Sequence, residues 1–132
     1  MKLFSFLFVI TSLATAGCAT PATLQPTEAR IDKEAIRRKI RENRKAFHGC
    51  YDEALERNPT TKGKIELAWE IGDDGKTSRI ETKYNSTGDE DFGKCMAKSL
   101  EKVKFEAPPK GQIAKVIFPF IFTDEARETK KK

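Results

Sequence analysis

Three cysteines and one histidine, Cys18, Cys50, Cys95 and His48, are the residues best equipped for chemistry in this chain. A thiolate can act as a nucleophile, bind a metal or join a second thiol, and its neighbours decide which. Nucleophilic catalysis needs a base beside the thiol, and His48 is the one histidine on offer. A closed zinc site takes about four ligands. Here His48, Cys50 and Cys95 are the candidates, and neither Cys-x-x-Cys nor Cys-x-x-Cys-His occurs. A Cys50–Cys95 disulfide needs only an oxidising compartment. Glu66, Glu70, Arg79, Glu81 and Lys83 alternate with apolar residues. That is the pattern of a strand's solvent face, whereas acid–base catalysis needs carboxylates in a pocket with shifted pKa values. Gly-x-Ser-x-Gly, His-Glu-x-x-His and phosphate-loop motifs are lacking. The residues therefore predict no catalytic set, no metal site, no cofactor and no small-molecule substrate.

The compartment is written at the start of the chain. Met1-Lys2 gives a short positive start, and residues 3–13, LFSFLFVITSL, form an apolar run. Such a run has the length of a signal-peptide core and falls short of the roughly 20 residues that span a bilayer. Thr15, Ala16 and Gly17 then precede Cys18, which resembles the lipobox of bacterial lipoproteins. The resemblance implies removal of residues 1–17 and acylation of Cys18, palmitate included, as the membrane anchor. Each buried CH₂ of such chains contributes about 0.8 kcal/mol. The alternative is an ordinary secretory signal cleaved nearby, which leaves Cys18 as a free thiol. Ala19 stands where an aspartate would resemble an inner-membrane retention signal, so the expected location is the outer membrane, facing the periplasm. With Cys18 assigned to lipid, an even pair of cysteines is left in an oxidising space. A Cys50–Cys95 bridge closes a loop of about 45 residues, which the chain-entropy model values at roughly 4 kcal/mol.

Stepping along the chain gives the elements that must hold that pair. Residues 18–31 contain Pro21 and Pro26 among small and polar residues and read as a flexible tether. Asp32 is a plausible N-cap. From Ile36 onward, Ile36, Ile40, Phe47, Cys50, Tyr51 and Ala54 fall within roughly 60° of one direction on a helix. Pro59 stops that helix. Asn43 lies inside the apolar stripe, and the expectation is that it bonds the backbone of a neighbouring loop or strand. Residues 62–85 read as a hairpin, with Ile65, Leu67, Trp69 and Ile71 on one face and Ile80, Thr82 and Tyr84 sharing a face after an Asp-Gly turn. A second helix follows, capped by Thr87 or Asp89 and running to about Lys104. Its inward stripe is Phe92, Cys95, Met96, Leu100 and Val103. The last strand, residues 113–123, is apolar on both faces. Phe118, Phe120 and Phe122 share one, and Ile117 and Ile121 the other, which is either core beneath a helix on that side or left exposed. Pro119 cannot donate to a ladder and marks an edge or a bulge. Residues 124–132 are too charged to pack and read as a disordered tail.

Net charge is +5. The basic run RRKIRENRK is followed on the same helix by Asp52 and Glu56 and interrupted by Glu42, which suits a solvated helix face better than nucleic-acid binding.

Asn43, Cys50-Tyr51, Leu55, Asn58-Pro59, Gly63, Ile71 with Gly75, Cys95, Phe105 before a proline-glycine loop, and Phe118-Pro119-Phe120-Ile121-Phe122 stand in one order. That order resembles the AgmX/PglI C-terminal domain family over about residues 33–123. Phe118 replaces the usual tyrosine, and Phe105-Glu106-Ala107-Pro108 replaces Phe-Pro. The resemblance implies an α+β domain at residues 32–123 with the order α-β-β-α-β. It has a three-stranded antiparallel sheet against two helices, similar to the TonB C-terminal domain, with the cysteines bridged. It implies a free-standing version of a domain found in gliding and envelope machinery.

Two functional classes remain. One is a lipid-anchored binding module, touching the membrane through Cys18 and an envelope protein through the strand edge at Ile117, Phe118, Pro119, Phe120 and Ile121. The other is a purely structural envelope lipoprotein. An enzyme is the least expected reading.

Overall fold

The computed structural model describes residues 27–123. The expected signal peptide (1–17), Cys18, the first part of the tether and the charged tail (124–132) lie outside the described residues.

The sheet is built on a hairpin of β2 (Gly63–Ile71) and β3 (Thr77–Asn85). Ile65, Leu67, Trp69 and Ile71 are buried on one face of β2, as the period of two predicts. Gly75 closes the turn at φ 77°. A side chain there is blocked twice over, since an added Cβ would also sit 2.6 Å from the Phe105 carbonyl oxygen. The Phe105 N–H in turn donates to the Gly75 carbonyl at 3.0 Å, so the turn fastens the segment behind the last helix to the sheet.

The expected first helix is two helices, α1 (Lys33–Glu42) and α2 (Arg44–Arg57). Asp32 caps α1, accepting from the N–H groups of Glu34 at 2.9 Å and Ala35 at 3.2 Å. The break falls at Asn43, at φ −97° and ψ 13°. Its side-chain Nδ2 donates to the Lys39 carbonyl at 2.9 Å. The expected bond to a loop or strand is thus replaced by one to its own helix. Asparagine competes for local backbone groups in this way, which makes it a poor residue for a helix interior. The apolar stripe survives the break: Ile36, Phe47, Cys50, Tyr51 and Ala54 are all buried.

Helix α3 (Glu90–Glu101) follows the hairpin and ends earlier than expected. Val103 and Phe105 still reach the core from the connecting segment, where Phe105 lies 5.6 Å from the Trp69 ring. Of the two candidate caps, Asp89 is the one used. Its Oδ1 accepts from the Phe92 N–H at 2.9 Å, and its Oδ2 accepts from Arg57 Nη2 at 2.7 Å. One carboxylate thus ties the start of α3 to the end of α2. Partial burial pushes the Asp89 carboxyl up, but the Phe92 N–H and the Arg57 guanidinium outweigh it and hold it below the ordinary aspartate value. A depressed folded-state pKa gives stability that is present above the unfolded value, near 3.8, and lost as pH falls through the folded one. Asp89→Asn is therefore expected to flatten the acid limb of the stability curve below about pH 4, with little change in the cap itself. Urea unfolding from acid to neutral pH measures this; an acid limb identical to that of the parent chain removes Asp89 as its source.

β4 (Gln112–Phe122) pairs antiparallel with β2, and with β1 (Thr27–Glu28) the sheet order is β1-β4-β2-β3. The sheet has four strands where three were expected. The addition is β1 (Thr27–Glu28), which runs parallel to β4 opposite Gln112 and Ile113. Those two residues lie within the stretch read as tether. They have no period of their own and are extended because the β4 backbone offers them partners. Ala29 behind them is buried.

One expectation for the hairpin fails for a local reason. Tyr84 was expected on the face of Ile80 and Thr82. In β3 the register shifts between Glu66↔Tyr84 and Leu67↔Thr82, leaving Lys83 as an extra residue. A bulge reverses the side chains beyond it. Tyr84 therefore lies opposite Glu66 on the other face, 50% exposed, with Lys64 Nζ 4.8 Å from its ring centroid. A second shift sets Arg79 and Ile80 against Trp69, with Arg79 at φ 49°.

Candidate interaction site

The thiols come first. Cys50 on α2 and Cys95 on α3 form a disulfide with their Cα atoms 5.6 Å apart. Cys50 is buried, and its Sγ lies 3.3 Å from Ser99 Oγ. The bridge staples the two helices across the layer that covers the sheet, so neither sulfur is available as a nucleophile or ligand. Among the described residues no group of three or more His, Cys, Asp or Glu side chains is placed to hold a metal ion.

The helices cover one face of the sheet. On that face Phe120 packs on Phe47 with ring centroids 5.1 Å apart, and Phe122 sits 4.9 Å from Tyr51 and 4.7 Å from Phe92. The opposite face has no helix among the described residues. The five residues expected at a binding edge are thereby divided. Ile117 is 65% exposed and Ile121 69%, and Pro119 is exposed with them. Phe118 is half-buried, and Phe120 is a core residue at 7%.

The edge itself follows from the ladder. β1 covers β4 only at Gln112 and Ile113, and the Ala29 N–H donates to the Ile113 carbonyl at 2.7 Å. Backbone groups alternate in direction along a strand. Since Ile113 turns outward, Lys115, Ile117, Pro119 and Ile121 turn outward too, and the even-numbered residues serve β2 in an unbroken register. Pro119 thus falls where its missing N–H takes nothing from the β2–β4 ladder, which is how a proline survives in the middle of an eleven-residue strand. Beyond Ile113 this outer edge has no strand beside it among the described residues.

No family model matches the chain, and no curated protein or solved structure matches it.

Two adjoining clefts run along the edge and meet at Phe118 and Pro119. The first, about 420 Å³, has Lys33, Ile36 and Arg37 on its helical wall. The second, about 220 Å³, has Ile40, Arg41, Arg44 and His48. The basic run read from the sequence as a solvated face is here sorted by its partners. Arg38 pairs with Glu106, Arg37 with Glu34, and Lys39 with Glu42 at 2.9 Å. Lys33, Arg41 and Arg44 have no ion pair among the described residues. Sequence reading missed that cations line the groove because it treated the run as one face. The signal was the spacing of Lys33, Arg37 and Arg41, four residues apart and just beside the apolar stripe.

Proposed function

We propose that the chain is a lipid-anchored protein-binding module of the bacterial cell envelope, outer membrane on the periplasmic side, and that it recruits its partner through the outer edge of β4. The observation that carries this reading is a strand edge with outward backbone groups at Lys115, Ile117 and Ile121, beside the exposed side chains of Ile117 and Ile121. Natural sheets blunt such edges with lysine and proline, and Lys115 and Pro119 stand on this one; the outward backbone groups of Ile117 and Ile121 on either side of Pro119 are still a template for an added strand. The resemblance to the AgmX/PglI C-terminal domain family and to TonB C-terminal domains supports the same mode. The lipobox-like sequence before Cys18 supports the anchor, and a disulfide between Cys50 and Cys95 accords with an oxidising compartment.

Two measurements test the reading. With the anchor, Cys18→Ala is expected to release the chain from membranes and to abolish palmitate labelling; continued fractionation with membranes and continued labelling overturn it. For the edge, a photo-crosslinking residue at 117 or 121 is expected to capture an envelope protein in intact cells. Ile117→Thr with Ile121→Thr is expected to lose the crosslinks while stability changes by no more than about 0.5 kcal/mol, because both side chains are exposed. Lost stability with unchanged crosslinks would make these isoleucines packing residues instead.

A further inference from the structure

We infer that the β4 edge takes an extended segment whose residues alternate between acidic and apolar; the inference rests on the edge reading above and specifies its partner. A strand added to β4 would send successive side chains to opposite faces of the sheet. One set would lie on the helical side, within the two clefts. There Lys33, Arg37 and Arg41 follow each other at four-residue spacing along α1, and Arg44 continues the row on α2. Among the described residues, Lys33, Arg41 and Arg44 have no ion pair and no carboxylate lines either cleft. The other set would lie on the open side, against Ile117, Pro119 and Ile121. Carboxylates on the first set and aliphatic side chains on the second match what each side offers.

Charge also decides against a second copy of this chain as the occupant. Pairing two β4 edges would bring two basic rows together, and like charges facing each other across an interface oppose association. The row is graded for specificity more than for strength. Its cations are solvent-accessible, and each exposed pair contributes modestly and is screened by salt.

The test uses the purified, oxidised chain and three fluorescein-labelled peptides of roughly eight residues, a length that matches the free edge. One alternates glutamate with valine, one glutamine with valine and one lysine with valine. Fluorescence anisotropy gives the affinities, and amide hydrogen exchange reads the backbone at Lys115, Ile117 and Ile121. The acidic peptide is expected to bind about tenfold more tightly than the glutamine peptide at low salt. It should slow exchange at those three amides, and lose most of its advantage at high ionic strength. Arg41→Glu with Arg44→Glu, both exposed on the wall of the second cleft, should reverse the order in favour of the lysine peptide. Equal binding of the acidic and glutamine peptides, with the same amides protected, overturns the charge assignment and leaves the edge reading standing. Acidic-peptide binding without protection of those amides overturns the placement at β4, and no binding by any peptide overturns the proposal. If the chain instead binds vesicles of anionic phospholipid through Arg41 and Arg44 and takes up no peptide, the row belongs to a membrane surface and the proposal fails.

Discussion

Replacing both Cys50 and Cys95 with alanine is expected to lower stability by about 4 kcal/mol. The two cysteines are 45 residues apart in sequence, and their Cα atoms stand 5.6 Å apart in the fold. The bridge therefore denies the unfolded chain a long loop while fitting the native backbone. The closed loop contains the whole β2–β3 hairpin, which leaves α2 and returns to α3. Without the bridge, those two helices are held by the packing of Tyr51, Phe92 and their neighbours and by the Arg57–Asp89 pair. Domains of this size have total stabilities of about 5–15 kcal/mol, so the loss should be a large fraction of the whole. Urea unfolding of the parent chain with and without reductant, beside the double variant, checks the origin of the effect. If the effect is exerted on the unfolded chain, the reduced parent and the double variant should share a midpoint. Both should also have a steeper denaturant dependence than the oxidised form, because their unfolded states expand further. A reduced parent as stable as the oxidised one removes the bridge from the list of what holds this fold.

The pairing was legible because it follows from counting: three cysteines, one spoken for by a lipobox-like context, and two on the inward stripes of helices. The core was legible for a related reason. Period-two alternation in residues 65–71 and helical spacing in residues 92–103 each report burial directly, and Ile65, Leu67, Trp69, Ile71, Phe92, Met96, Leu100 and Val103 are all buried. What escaped was decided by backbone rather than by pattern. Asn43 has the right angular position for a helix stripe and the wrong side chain for a helix interior, so the helix divides there. Lys83 and Arg79 have no composition that marks a bulge, yet the bulge at Lys83 turns Tyr84 to the open face. Thr27 and Glu28 form a strand only because β4 is already there to pair with. At the candidate site, the edge position of Pro119 and the separation of Ile117 and Ile121 from the phenylalanines were readable from residue type and alternation; whether the isoleucine face is exposed or covered was not, because a strand apolar on both faces fits either. The basic row was not, because sequence gives the angle of a side chain around its own helix and not the neighbour it faces.

Phe92→Ala is the second large effect, expected to cost about 4 kcal/mol. Phe92 is fully buried and touches two rings from different elements. Tyr51 of α2 lies 5.7 Å away, stacked, and Phe122 of β4 lies 4.7 Å away, edge to face. Truncation opens a cavity bounded by a helix, a strand and the Tyr51 ring. That ring cannot swing in to fill it without giving up the hydrogen bond from its hydroxyl to the Thr61 carbonyl, 3.0 Å long and buried. The site therefore collapses poorly, which places the cost toward the upper part of the range for phenylalanine. Phe92→Leu should recover more than half of the loss, since it leaves a smaller void. The readout that ties this residue to β4 is amide exchange. Opening at Phe122 should rise in Phe92→Ala while that at Ala114, at the far end of the strand, follows global unfolding alone. Phe92 is three residues before Cys95 on the same helix, so removing both the ring and the disulfide brings two large losses to bear on α3. Their combined magnitude, about 8 kcal/mol, is comparable to the entire stability of many domains of this size. The triple substitution is accordingly expected to be unfolded by near-ultraviolet circular dichroism at room temperature, and a native-like spectrum would show that α3 is held by something other than these two attachments.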